Sequence, residues 1–181
     1  MRKTLLAALM VVTSQHAFAE QEQNQATMSN FSYDYAEARI GASPMTFGAG
    51  ISKSIHPNAH IVGSIDSKFE GDYDITGGVG FHAPVNNWAD FTGEMLAHIH
   101  DNGEHHKTDT GMEVNLGVRQ WLGPQLEIGG KAGYLNVGDK DRWMGSIYGR
   151  FHSTELFSLG LEGRINHIYG DQLMFTARFA F

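Results

Sequence analysis

The 181-residue sequence contains no cysteine, which excludes a disulfide scaffold, thiol catalysis and a cysteine-based zinc site. Charge is sparse. Asp, Glu, Lys and Arg make up 18% of the chain, against roughly 25% in an average globular domain. A disordered chain is charge-rich and aromatic-poor, and this one has the opposite bias, with 11% aromatics. Bases are few, 13 against 20 acids for a formal charge of −7, so no basic face is available to a nucleic acid. Past the first twenty residues, no apolar run reaches the about 20 residues that a membrane-spanning helix needs. Proline is limited to 4 positions, whereas glycine fills 22. What remains is a Gly-rich, aromatic-rich β chain, long enough for one domain with a sizeable core.

Residues 1–19 have the three parts of a secretory signal in the correct order. Arg2 and Lys3 form the positive n-region, Leu5 to Val12 the short apolar stretch, and Ala17-Phe18-Ala19 the small-x-small cleavage site. Cleavage is expected after Ala19, followed by a polar, aperiodic lead-in over 20–30 on the periplasmic side. The apolar stretch is too short to span a bilayer, so any membrane crossing must be made by strands.

From Phe31 to Phe181 apolar and polar residues alternate with the period of two that marks strands. Ten runs are expected, at 33–41, 45–55, 59–68, 73–83, 89–100, 109–121, 126–137, 142–152, 156–167 and 172–181. Most have about the 9–11 residues of a tilted membrane strand. Alternate connections hold tight-turn residues, such as His56-Pro57-Asn58 and Gly123-Pro124, while the others are more charged and the central one is longer. Short turns on one side and longer loops on the other suit an outer-membrane barrel. The fold class is therefore all-β, an antiparallel up-and-down transmembrane β-barrel of ten strands, with eight strands as the alternative.

Charge placement carries the argument further. Met112, Val114, Leu116 and Val118 share one face of their run, opposite Glu113, Asn115, Gly117 and Arg119. Assigned by this parity, Glu37, Asp66, Asp74, Asp90, Glu94, Glu113, Glu127 and Glu162 point inward, as do Arg39, Lys68, Arg119, Lys131, Arg150, Arg164 and Arg178. Acids and bases in near balance suggest cross-lumen ion pairs, whereas a one-sign lining would suggest a selective pore. Glycines 48, 50, 78, 80, 117, 129, 133 and 160 share the inward face and leave room for long side chains. Lys53 alone falls clearly on the apolar face, near a strand end where it can snorkel. Trp121, Tyr134, Trp143 and Tyr148 lie toward strand ends, where aromatic girdles sit. A soluble sandwich shows the same alternation with its apolar face inward, so periodicity does not decide which face meets water. On the membrane reading, Leu116→Arg should cost about 2–4 kcal/mol, and Asn115→Asp, on a face already polar, should be milder.

The terminal run Leu173 to Phe181, with Phe175, Phe179 and Phe181 on one face, resembles the C-terminal assembly signal of Gram-negative outer-membrane barrels. Tyr33-Asp34-Tyr35-Ala36-Glu37, Gly78-Val79-Gly80-Phe81 and Leu116-Gly117-Val118-Arg119 resemble strands of small porin-like barrels, a broad family with relatives of outer membrane protein A. The resemblance spans 31–181. It implies residence in the cell outer membrane, contact with its lipid and lipopolysaccharide, and recognition by the barrel-assembly machinery through the last strand. Such families include passive barrels, adhesins and lipid A-modifying enzymes, so the resemblance does not fix activity.

Among candidate sites, His98, His100, His105 and His106 gather with Asp101 and Glu104 around the longest external loop. Two imidazoles two residues apart on one strand face suit a divalent metal there, and a solvated polar loop is the alternative. Catalysis has thinner support. His152-Ser153 is adjacent on an expected periplasmic turn, where neighbouring side chains diverge, and no His-x-Ser arrangement resembles the barrel lipid A deacylases. An omptin-type protease would use residues such as His100, Asp101 and Asp109 at the rim, but the loops look too short for its cleft. The expected function is non-enzymatic and without a cofactor: a porin-like or structural barrel with a largely filled lumen. The alternative is an adhesion or binding module acting through its loops, and then a lipid A-modifying or protease-type enzyme.

Overall fold

A computed structural model of the chain describes residues 30–69, 71–103, 108–138 and 140–181. The signal-type segment, nearly all of the lead-in, and His105 and His106 lie outside the described residues. Ten strands follow one another: β1 (Tyr35–Ala42), β2 (Thr46–His56), β3 (Ala59–Phe69), β4 (Asp72–Asn86), β5 (Ala89–Asn102), β6 (Thr108–Trp121), β7 (Leu126–Val137), β8 (Lys140–His152), β9 (Phe157–His167) and β10 (Gly170–Ala180). Each pairs antiparallel with its chain neighbours, and β1 closes on β10 from Tyr35↔Ala180 to Ala42↔Leu173. The strand count is ten, not eight. Closure leaves no edge strand unpaired.

Two features of the sequence reading are corrected here. Tyr33 and Asp34 do not start the first strand, since β1 begins at Tyr35. The two ends of the barrel also do not differ in loop length as expected. Connections 57–58 and 87–88 on the terminus side are matched by 70–71, 138–139 and 168–169 on the other. Polar residues assigned to loops, among them Asp72, Asp101 and Thr108, belong instead to the long strands β4, β5 and β6, which extend the wall on that side. Gly71 and Gly170, both at φ +83°, supply the left-handed backbone that two of these tight connections need.

Burial settles which face is which. Buried apolar side chains are few among the described residues: Phe31, Tyr33, Leu96, Leu135, Val137, Met144 and Met174. The large apolar side chains of the strands instead face out, as with Ile51, Ile65, Met95, Leu116, Ile147 and Leu161. Buried positions belong mainly to polar and charged groups, including Asp90, Glu113, Asn115, Arg119, Glu127 and Arg150. A sandwich folded in water has the reverse arrangement.

The aromatics are sorted differently from the sequence reading. Trp143, 74% exposed, and Tyr134 form an edge-on pair outside, with ring centroids 5.7 Å apart. Tyr148 points inward and bonds to Glu127, while Trp121 stacks on Phe31 at the terminus-side mouth. The outer aromatics near the termini are instead Trp88, Phe91, Phe151, Phe157, Phe179 and Phe181. Lys53 is outward as expected, at the terminus-side rim, with its ammonium 3.2 Å from Asp34 and 5.1 Å from the centre of the Phe181 ring.

Candidate functional site

The interior is built by strand parity. Inward positions mix small and long residues, so that arms from one strand lie in niches left by another. Gly48 is such a niche, for a Cβ there would collide with the Asp66 carboxylate; Gly129 is another, closed by the Tyr148 ring.

Near the termini, Glu37 Oε2 accepts from Arg150 Nη2 at 2.9 Å and from Arg178 Nε at 2.9 Å, joining β1, β8 and β10. The Arg178 guanidinium also lies 3.6 Å from the centre of the Tyr35 ring. Glu127, fully buried on β7, accepts from Arg119 Nε at 2.9 Å and from the Tyr148 hydroxyl at 2.7 Å. Its other oxygen lies 2.9 Å from His152 Nε2. Asp90 accepts the Tyr33 hydroxyl at 2.8 Å.

At mid-height Lys131 Nζ lies 3.3 Å from Glu94 and 3.8 Å from Glu113. The Asn115 amide donates to the same two carboxylates, so one cation and one amide separate two acids. Arg164 pairs with Glu162 at 3.1 Å, and Asp66 receives Arg39 at 3.2 Å and Arg164 at 4.0 Å. Asp66 and Asp74 are directly opposed on β3 and β4, a like-charge pairing that costs energy unless neighbours neutralise it. Arg39 and Arg164 do so for Asp66, while Asp74 accepts the Thr76 hydroxyl at 3.0 Å and faces His98 Nδ1.

Toward the loops, His98 stands between two acids, Nδ1 3.1 Å from Asp74 and Nε2 3.3 Å from Glu113. Lys68 pairs with Asp72 at 2.9 Å and covers the Tyr169 ring.

The fifteen charged residues assigned inward thus share the inner surface. Three features were missed. Asp72 is the partner of Lys68, Asn115 is a bridge between acids, and His60, His82 and His152 belong to the interior. Parity was the available signal for these histidines, because His60 shares its face with Asp66, His82 with Asp74 and His152 with Arg150. Of the expected metal cluster, His98 and His100 are described and His105 and His106 are not. His98 is withdrawn from the loop and engaged by carboxylates on both ring nitrogens, and His100 meets Tyr169 edge-on at 5.8 Å. Among the described residues no group of three or more His, Asp and Glu is arranged to hold a metal ion.

The described residues leave space inside the barrel. A cavity of about 190 Å³ lies in the lumen among these pairs, room for about six waters at roughly 30 Å³ each. Another, about 480 Å³, opens at the terminus-side mouth between Trp121, Glu127, His152 and Arg178.

No protein-family model matches the chain, and no curated protein matches it. Among solved structures it is similar to one described as KdgM porin in complex with disordered oligogalacturonate. The TM-score is 0.53 at 8% identity, over 81% of this chain and 99% of the porin's. At that identity the likeness is one of fold, and the fold is a closed antiparallel barrel shared with a porin.

Proposed function

We propose that the protein is a non-enzymatic, porin-like barrel of the Gram-negative outer membrane, with a lumen filled by ion pairs that passes no solute larger than small ions. One observation carries this reading: the inversion of burial, with apolar side chains outward on every strand and charged groups within. An apolar belt of that extent is an aggregation surface in water and a fitting surface in lipid. Ten strands lie nearer the eight-stranded case, where side chains fill the interior, than the 16–18-stranded case with an aqueous channel. Pairing is what makes charges tolerable in so confined a space.

In this reading the chain is exported by residues 1–19 and cleaved after Ala19, with both termini periplasmic. It contacts lipid and lipopolysaccharide through the apolar belt, and Phe175, Phe179 and Phe181 present the last strand to the assembly machinery. The similar porin is described with an oligogalacturonate; the cross-lumen ion pairs of this barrel support a reading without passage of such a chain.

Planar-bilayer recording of the refolded protein, with liposome swelling in sugar solutions, tests the reading. The expected result is small, infrequent conductance and no sugar uptake. Large, stable conductance or sugar-driven swelling would make it an open porin instead.

A further inference from the structure

The terminus-side mouth is narrowed by a segment that is not part of the wall. Phe31 to Asp34 precede β1 and turn into the barrel, where Phe31 and Tyr33 are each only 6% exposed. The Tyr33 ring stacks 3.8 Å from His82 and 4.7 Å from His60, and its hydroxyl donates to Asp90. Ser52 Oγ donates to the Tyr33 carbonyl at 2.6 Å. Phe31 lies flat on Trp121, with centroids 5.4 Å apart and planes within 9°. Arg119 faces both strap rings, 4.6 Å from Phe31 and 4.8 Å from Tyr33. At the base of the strap, Asp34 binds the Ser54 amide and the Lys53 ammonium, which hold its carboxyl below the usual range.

Apart from one backbone hydrogen bond, from the Phe181 amide to the Asp34 carbonyl at 3.2 Å, the strap is held by side-chain and ring contacts to five different strands, β2, β3, β4, β5 and β6. The β1–β10 ladder starts below them, at Tyr35. The strap can therefore leave while every strand pairing of the barrel stays intact. What it covers is the junction of the two cavities. Tyr35, Arg119 and Arg178 line both, whereas Glu37 lines the lumen cavity and Glu127 the mouth cavity. Two guanidiniums and no carboxylate are thus common to the two linings.

We propose that Phe31–Asp34 is a plug whose withdrawal joins the two cavities into a path for small ions, with anions preferred at the Arg119–Arg178 junction. This rests on the membrane-barrel reading above. Held in place, the plug explains a closed resting state; released, it exposes the face of Arg119 that Phe31 and Tyr33 cover.

The test compares the full-length refolded chain with Phe31→Ala/Tyr33→Ala and with the milder Tyr33→Phe/Ser52→Ala, in planar bilayers across a potassium chloride gradient. The parent should rest closed with rare openings. The first variant should carry a sustained current. The second should visit the same level with an open fraction raised about tenfold, because it keeps the ring and loses two hydrogen bonds. Reversal potentials should shift toward chloride. If the alanine variant does not fold, the milder one decides by its open fraction. Variants that are heat-modifiable and inserted, yet as silent as the parent, overturn the plug, and a cation-selective open level overturns the junction assignment. Vesicle flotation is scored separately: a parent chain that does not float with lipid refutes the membrane reading beneath the proposal, and the gate with it.

Discussion

Glu127→Ala takes one acceptor away from three groups at once: Arg119 Nε, the Tyr148 hydroxyl and His152. The largest consequence is at Arg119, which is buried and keeps its charge. Breaking a buried pair by removing one partner costs about 3–5 kcal/mol, because the survivor remains desolvated. Here the survivor retains two aromatic faces, from Phe31 and Tyr33, each worth about 0.5–2 kcal/mol to a cation. The Tyr148 hydroxyl, left without its acceptor, adds about 1–3 kcal/mol in the other direction. The two corrections roughly cancel, and the expected loss is about 3–4 kcal/mol. Urea titration of the vesicle-inserted barrel, followed by heat modifiability, measures it. A cycle with Arg119→Met separates pairing from packing. The double variant should cost less than Glu127→Ala alone, since no unpaired charge is then left behind. A single-variant cost under about 1 kcal/mol, or simple addition of the two costs, would refute the reasoning.

The outer and inner faces of β6 give a second expectation. Leu116, 73% exposed, should lose about 2–4 kcal/mol as arginine in the same titration. Asn115→Asp should not be the mild change that its polar face suggested, because a carboxylate there meets Glu94 and Glu113 where an amide now donates to both; a negligible cost at 115 would count against the mid-lumen geometry. Deleting Phe181 removes an exposed outer ring and the hydrogen bond its backbone N–H donates to the Asp34 carbonyl, and should lower the heat-modifiable barrel recovered in outer-membrane fractions; unchanged recovery would contradict its role in assembly. Zinc titration calorimetry should respond identically for the parent and His98→Ala, because both His98 nitrogens are engaged by acids; loss of binding in the variant would return His98 to a metal site.

The barrel was legible in the sequence because the side-chain period of a strand is two, and a lumen and a membrane ask for opposite chemistry on its two faces. Every strand from β1 to β10 falls within three residues of its expected run. The inward charges followed from the same parity. Pairings did not, since Glu37 meets Arg150 across intervening strands and only strand tilt and closure bring them together. Tyr148 was misplaced because position near a strand end outweighed its parity with Arg150. The strap was hidden for a related reason. Phe31, Tyr33 and Tyr35 continue the alternation of β1, so the bend into the lumen leaves no break in the pattern. Their parity with Glu37 is the trace it does leave: aromatics on the face that elsewhere holds charges.

The central claim is that the apolar face meets lipid and the polar face does not, and site-directed spin labelling along β6 tests it most directly. The cysteine-free chain accepts one label at a time, from Met112 to Arg119, in the reconstituted protein. Oxygen collisions, which report lipid, should peak at 112, 114, 116 and 118 and fall at 113, 115, 117 and 119. Labels at the even positions that collide with a water-soluble relaxant instead would place that face in water and contradict the account.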